Sequence, residues 1–450
     1  MLFANLWRRR SCSSLPLLLG TVVVLWFCSS HHVEATGSKV EYLPGFRHEG
    51  PLPFELETGY IGVGESKDVQ LFYYFVKSES NPNIDPIVLW ISGGPGCSSF
   101  VGMTEELGPL LFDVSKNNRN LPTLSLNPYS WTKVASFIFL ELPVGTGFSY
   151  AKSSKNYTDV EISYHGAEFI RKWFEDHFQF QSNSFYVGGD SYSGITVPMV
   201  AQAISYGIDA RFKPHVNLKG YIIGNGNTFA LDIRDYTYRT ARGLGRISEE
   251  EYTKMEDCIK IKFSDPNCRK EMTVLSLFYW PNVIGEENDA KRFCGFNVHA
   301  FDRGLIFLAG QIASLWINND IVQEALHVRK GCGEKWVKCR TRLPYELTVN
   351  DSRPYHANLS TKGYRSLIYS GSADVYISSL YTEFWTKSLN YSIIDDWRPW
   401  IVNHRVVGYT RTFSNNMTYA KILGSDHIAP TITPAECFKM FKRWISYEPL

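Results

Sequence analysis

Six short apolar runs constrain this chain more than any other feature: Pro86–Ile91, Ala135–Leu140, Ser184–Val187, Leu218–Ile223, Arg365–Tyr369 and Tyr419–Leu423, five of them followed at once by Gly or Ser. A strand with one wet face alternates polar and apolar residues, whereas a run that is apolar throughout is covered on both faces. Stretches of helical spacing fall between several of the runs. Asp159–Phe178 places Ile162, Ala167, Phe169, Ile170, Trp173 and Phe174 near one another on such a period, and Ala435–Ile445 forms a terminal one. Strands alternating with helices predict an α/β fold, a mostly parallel sheet with helices on both faces. Gly59–Val76, with Gly62 and Gly64 beside a β-forming run from Val69 to Phe75, predicts an antiparallel hairpin ahead of that sheet.

Between Gly226 and about Lys362 the strand–helix rhythm breaks. This stretch holds charge clusters (Glu249-Glu250-Glu251, Glu286-Glu287), most of the remaining cysteines, and helical pieces at Leu305–Leu315 and Ile321–His327. It is expected to be a cap inserted at about 226–362 into one domain spanning 36–450. With 46 Lys+Arg against 45 Asp+Glu, spread along 450 residues, no basic face for nucleic acid is apparent.

Arg8-Arg9-Arg10 precede an apolar run from Leu15 to Cys28, which Pro16 and Gly20 interrupt, and Val33-Glu34-Ala35 follow it. The layout is that of a secretory signal peptide over 1–35, since a spanning helix needs about 20 apolar residues. No later segment is apolar enough to span a bilayer. Secretion makes disulfides the default state of Cys97, Cys258, Cys268, Cys294, Cys332, Cys339 and Cys437, an odd set that leaves one thiol over. Asn156, Asn350, Asn358, Asn390 and Asn416 lie in glycosylation sequons.

The strongest local signal is Phe185-Tyr186-Val187-Gly188-Gly189-Asp190-Ser191-Tyr192-Ser193-Gly194. A nucleophilic serine on a sharp strand-to-helix turn needs small neighbours, and Ser191 has them, although Ser193 stands where strict G-x-S-x-G has glycine. A serine hydroxyl needs a histidine base oriented by a carboxylate, and in α/β-hydrolases the three follow in the order Ser, Asp, His. Asp374 and His427 each lie just past a predicted strand, where catalytic groups of parallel sheets collect. Asp426 competes for the acid role but is poorly placed to reach the imidazole beside it. Trp90-Ile91-Ser92-Gly93-Gly94-Pro95-Gly96-Cys97-Ser98-Ser99 follows another strand, and the N–H groups of Gly94 and Tyr192 are the expected oxyanion donors.

These motifs, with Leu43–Phe46, Glu57–Tyr60, Gly145–Tyr150, Asp395–Trp400 and Gly424–Pro430, resemble the plant serine carboxypeptidase-like family over nearly the whole chain after the leader. The resemblance implies an α/β-hydrolase fold with a disulfide-held cap, catalytic Ser191, Asp374 and His427, and an acyl-enzyme route that needs neither metal nor organic cofactor. It also implies the pairs Cys97–Cys339, Cys258–Cys268 and Cys294–Cys332, with Cys437 alone. The family divides into peptidases and acyltransferases that use glucose esters. Peptidases carry Asn and Glu where this chain has Ser92 and Asp190, and those residues, with a second acid matching Glu106, capture a peptide carboxylate. Asp is one methylene shorter than Glu, and Ser lacks the amide donor of Asn. Ser92, Gly93, Asp190 and Glu106 are therefore expected to contact an acyl-glucose donor or its acceptor, in a secreted or vacuolar enzyme. The family pattern departs at Ser372, Ile377-Ser378, Ser425-Asp426 and Ile428. The alternatives are a carboxypeptidase acting on peptide C-termini and a catalytically silent glycoprotein.

Overall fold

The computed structural model describes residues 37–47, 50–113, 121–229, 233–260, 268, 310–331 and 333–450. The leader over 1–35, Cys294, Cys332 and residues 305–309 of one expected helix lie outside these. The six apolar runs form β4 (Ile87–Ile91), β5 (Ser136–Leu140), β6 (Phe185–Asp190), β7 (Leu218–Gly224), β8 (Arg365–Gly371) and β11 (Met417–Ile422). They pair in parallel in the order β5-β4-β6-β7-β8-β11. At one end β1 (Ser38–Val40), β2 (Leu56–Val63) and β3 (Val69–Val76) continue the sheet antiparallel, so the expected hairpin is present with Leu56 opposite Val76. At the other end β9 (Ile393–Val402) and β10 (Arg405–Phe413) add a second antiparallel hairpin onto β11. Tyr150–Ala151 pairs with β3 off the main path.

Side chains of each central strand alternate between two cores. Val88, Trp90, Phe137, Phe139, Tyr186, Ile222, Leu367 and Tyr369 face one side, where helix Pro434–Ile445 brings Met440, Phe441 and Trp444. Ile87, Leu89, Ile138, Phe185, Val187, Tyr221, Ile223 and Ile368 face the other, against α1 (Asp159–Asp176) and α2 (Ser193–Asp209). Every residue of β4 and β5 is buried, which is why they carry no polar alternation. Thr158 and Glu161 cap α1 reciprocally, each side chain bonding the other's backbone N–H.

Between β7 and β8 the chain leaves the sheet. The described parts of this stretch include helices Arg234–Gly243, Glu249–Lys260, Asp320–Ala325 and Arg353–Thr361, and a helical run over 310–317. Disulfides Cys97–Cys339 and Cys258–Cys268 are formed, and Cys437 is a free, buried thiol. Asn156, Asn350, Asn390 and Asn416 are exposed, whereas Asn358 is half-buried in its helix and donates to Gln202 Oε1 at 3.0 Å. Among the described residues no helix is long and apolar enough to cross a membrane.

Candidate active site

Strand β6 ends at Asp190 and α2 begins at Ser193, so Ser191 occupies the turn between them and takes φ +55°. A side chain other than glycine is rarely held in the left-handed region, and here the surrounding bonds hold it. Its N–H donates to Gly224 O at 2.9 Å, and its carbonyl accepts the N–H groups of Gly194 at 3.0 Å and Asn227 at 2.9 Å. Ser193 Oγ donates to Ile91 O at 2.8 Å, tying the turn to β4. Gly93 is needed because the next turn passes so close. A Cβ there would lie 2.6 Å from Ser191 Cβ and 2.7 Å from both Asp190 O and Tyr192 N.

The structure brings Ser191, His427 and Asp374 together. His427 Nε2 lies 2.9 Å from Ser191 Oγ, and His427 Nδ1 lies 2.8 Å from Asp374 Oδ2. Asp374 is 0% exposed and fully bonded. Its Oδ1 accepts the N–H groups of Tyr376 at 2.7 Å and Ile377 at 3.2 Å, and its Oδ2 also accepts the Asn225 amide at 2.6 Å. Burial pushes this carboxyl up, but the imidazole and these donors outweigh it and hold it below the ordinary carboxylate range. Burial pushes His427 down, and the Asp374 contact more than reverses that, so the imidazole ends above its ordinary value. Asp426 does not compete. Its Oδ1 accepts the backbone N–H of His427 at 2.9 Å, and its Oδ2 lies 3.8 Å from Arg246.

Asp190, Glu106 and Ser92 are all buried beside this trio. Asp190 Oδ1 accepts the Gly93 N–H at 3.2 Å, and burial raises its carboxyl to about 6. Burial and the Asp190 charge push Glu106 well above the carboxylate range, while its neighbour Glu105 is paired with Lys338 at 2.6 Å. Ser92 Oγ and Glu106 Oε2 have no hydrogen-bond partner among the described residues. The backbone N–H groups of Gly94 and Tyr192 also meet no acceptor there. Buried polar atoms are rarely left unbonded in a folded protein, so this wall is short of partners.

Two contributors were not singled out from the sequence. Asn225, at φ +46° just past β7, holds Asp374, and its place after a strand end was a readable signal. Asp159 accepts the Tyr192 hydroxyl at 2.9 Å and the N–H groups of Thr348 and Val349, so it pins the tyrosine beside Ser191. As the first residue of α1 it reads in sequence as an ordinary helix-start acid.

A mixed sheet of this order, a serine on the turn after a central strand, and Asp and His past later strands define an α/β-hydrolase. A family model for serine carboxypeptidase matches residues 44–447, and the chain belongs to that family. Serine carboxypeptidase-like 12 of Arabidopsis thaliana is 46% identical over 442 residues, covering 96% of this chain and 99% of that protein. Serine carboxypeptidase-like 11 of the same plant is 45% identical, covering 97% and 100%. Among solved structures, Kex1(delta)p, a prohormone-processing carboxypeptidase from Saccharomyces cerevisiae, superposes with TM-score 0.69 at 20% identity, covering 91% of this chain and 95% of that one. At that identity the likeness concerns the fold.

Proposed function

We propose that the chain is an acyltransferase that takes an acyl group from a 1-O-acyl-glucose ester and delivers it to a hydroxyl or amine acceptor. His427 Nε2 accepts the Ser191 proton as Oγ attacks the ester carbonyl, and the Gly94 and Tyr192 N–H groups receive the negative charge that develops on the carbonyl oxygen. The tetrahedral intermediate collapses to an acyl-Ser191 ester as His427 returns the proton to departing glucose. The acceptor then enters, His427 removes its proton, and the same steps in reverse release the product. Asp374 holds the imidazole in the tautomer that leaves Nε2 free to accept.

The observation that carries the choice of donor is the wall formed by Ser92, Asp190 and Glu106. It is rich in acceptors, two of them without a partner, and Asp190 has one oxygen engaged by Gly93 N–H. Sugar hydroxyls donate to such groups. A peptide carboxylate offers acceptors alone and would need a protonated acid opposite it. The raised carboxyls of Asp190 and Glu106 favour the second reading, a carboxypeptidase, at acidic pH. The leader over 1–35 and the exposed sequons support a glycoprotein that is secreted or vacuolar, and residues 226–362 are read as its cap. Purified glycosylated protein incubated with acyl-glucoses, acceptors and blocked dipeptides tests the reading. Acyl transfer is expected, and peptide hydrolysis without transfer would overturn it.

A further inference from the structure

Behind the Gly93–Ser99 turn lies a carboxyl group that the reaction above does not use. Glu141 directly follows β5 and is 0% exposed. Its Oε1 accepts the Ser98 hydroxyl at 2.6 Å and its Oε2 accepts the Ser99 N–H at 3.2 Å. Ser99 Oγ donates to Leu140 O at 2.7 Å and accepts the Ser92 N–H at 3.0 Å. The end of β5 therefore grips both ends of the turn, Ser92 where it leaves β4 and Ser98–Ser99 where it closes. The inserted segment meets the same anchor. Trp336 Nε1 donates to Ser98 Oγ at 3.0 Å, Ser98 N–H donates to Lys338 O at 2.9 Å, and Cys97 is bridged to Cys339.

Room for the carboxyl is built into the chain. Gly147 sits at φ +51°, and a Cβ there would fall 2.2 Å from Glu141 Cδ. Ser149 Oγ donates to Glu141 O at 2.7 Å, closing the loop around it. Burial lifts the carboxyl to about 7, against the opposing effect of Ser98, Ser99, Tyr74 and the Phe100 backbone. A group kept in such a place at that cost, when an apolar residue would fit a core better, has a task its position should reveal.

We propose that Glu141 is a positioning residue for the chemistry at Ser191, fixing the Gly93–Ser99 turn through Ser98 and Ser99 so that the Gly94 N–H is already aimed when charge develops on the carbonyl oxygen. The inference rests on the acyl-transfer reading. An oxyanion donor must be preorganised to act, and removing one lowers kcat by about 100- to 1,000-fold. Glu141 touches no reacting atom, so its loss acts through the turn.

Glu141→Ala and Glu141→Gln separate the roles. Glutamine can keep its oxygen on Ser99 N–H and offer its amide to Ser98 Oγ, whose hydroxyl rotates. With 4-nitrophenyl butyrate as the probe, and folded protein quantified by circular dichroism, Glu141→Ala is expected to lower kcat about 100-fold or more with KM changed less than threefold. Glu141→Gln is expected to restore kcat to within about tenfold of the parent. If Glu141→Ala does not fold, Ser98→Ala, which removes the 2.6 Å contact and leaves the carboxyl in place, is read in the same way. Parental kcat in folded variants would overturn this inference and leave the acyl-transfer reading intact. Absence of Ser191-dependent turnover in the parent protein would overturn both.

Discussion

Replacing Asp374 by Asn perturbs the trio in a direction the hydrogen bonds dictate. Asp374 Oδ1 faces two backbone donors, Tyr376 N–H and Ile377 N–H, so an amide NH2 cannot occupy that side. The asparagine oxygen must stay there, and its NH2 must face His427 Nδ1 and Asn225. Asn225 can yield, because its own Oδ1 is buried without a partner and a flip of the amide would turn that oxygen toward the new donor. His427 cannot yield without harm. Its Nδ1 becomes an acceptor, its proton moves to Nε2, and Nε2 no longer takes the proton of Ser191 at 2.9 Å. The imidazolium that forms during attack also loses a carboxylate 2.8 Å away, worth about 6 kcal/mol at an effective dielectric constant of about 20. That agrees with the roughly 10,000-fold loss known for the same substitution in the serine protease triad. Turnover of 4-nitrophenyl butyrate by Asp374→Asn should therefore fall about 1,000- to 10,000-fold in protein whose circular dichroism spectrum at the assay temperature is that of the folded parent. A folded variant retaining a tenth of parental kcat would refute the orientation argument.

Other consequences follow from the same geometry. Attack requires neutral His427, and the Asp374 contact raises the imidazole above its ordinary value, so the acid limb of kcat/KM should lie above pH 6.5. A limb below that value would show that burial dominates. The Glu141 carboxyl is raised from 4.5 to about 7, so the stability it contributes is present below pH 4.5 and lost as pH rises through about 7. The Glu141→Gln variant should gain about 3 kcal/mol relative to the parent between those limits, read as a difference in melting temperature, and parallel pH profiles would contradict this. The double substitution Ser92→Asn, Asp190→Glu adds an amide donor and one methylene of reach, and should raise hydrolysis of blocked dipeptides about tenfold or more. Unchanged hydrolysis would remove these two positions from the discrimination between sugar and carboxylate.

Strand ends were legible because burial on both faces leaves an unbroken apolar run, and Ser191, Asp374 and His427 each follow one. The antiparallel hairpin Ile393–Phe413 was not legible as strands. Asp395-Asp396 and Arg398-Pro399 break its apolar pattern, most of Ile393–Val402 is at least partly exposed, and its register shifts three times, as suits an edge. The partners of Glu141 and Asn225 were hidden for another reason. Each acts through contacts about 40 and 150 residues away in sequence, and only the folded sheet brings Ser98 and Asp374 to them. The pairs Cys97–Cys339 and Cys258–Cys268, expected from family resemblance, are present, while Cys294–Cys332 falls outside the described residues.

The proposed acyl-Ser191 intermediate requires that glucose can leave and return. The most direct measurement incubates the glycoprotein with an unlabelled 1-O-acyl-glucose and carbon-13 glucose and follows the ester by mass spectrometry. Label is expected to enter the acyl-glucose pool at a rate abolished by Ser191→Ala. Release of free acid with no label in the ester, while blocked dipeptides are hydrolysed, would contradict it.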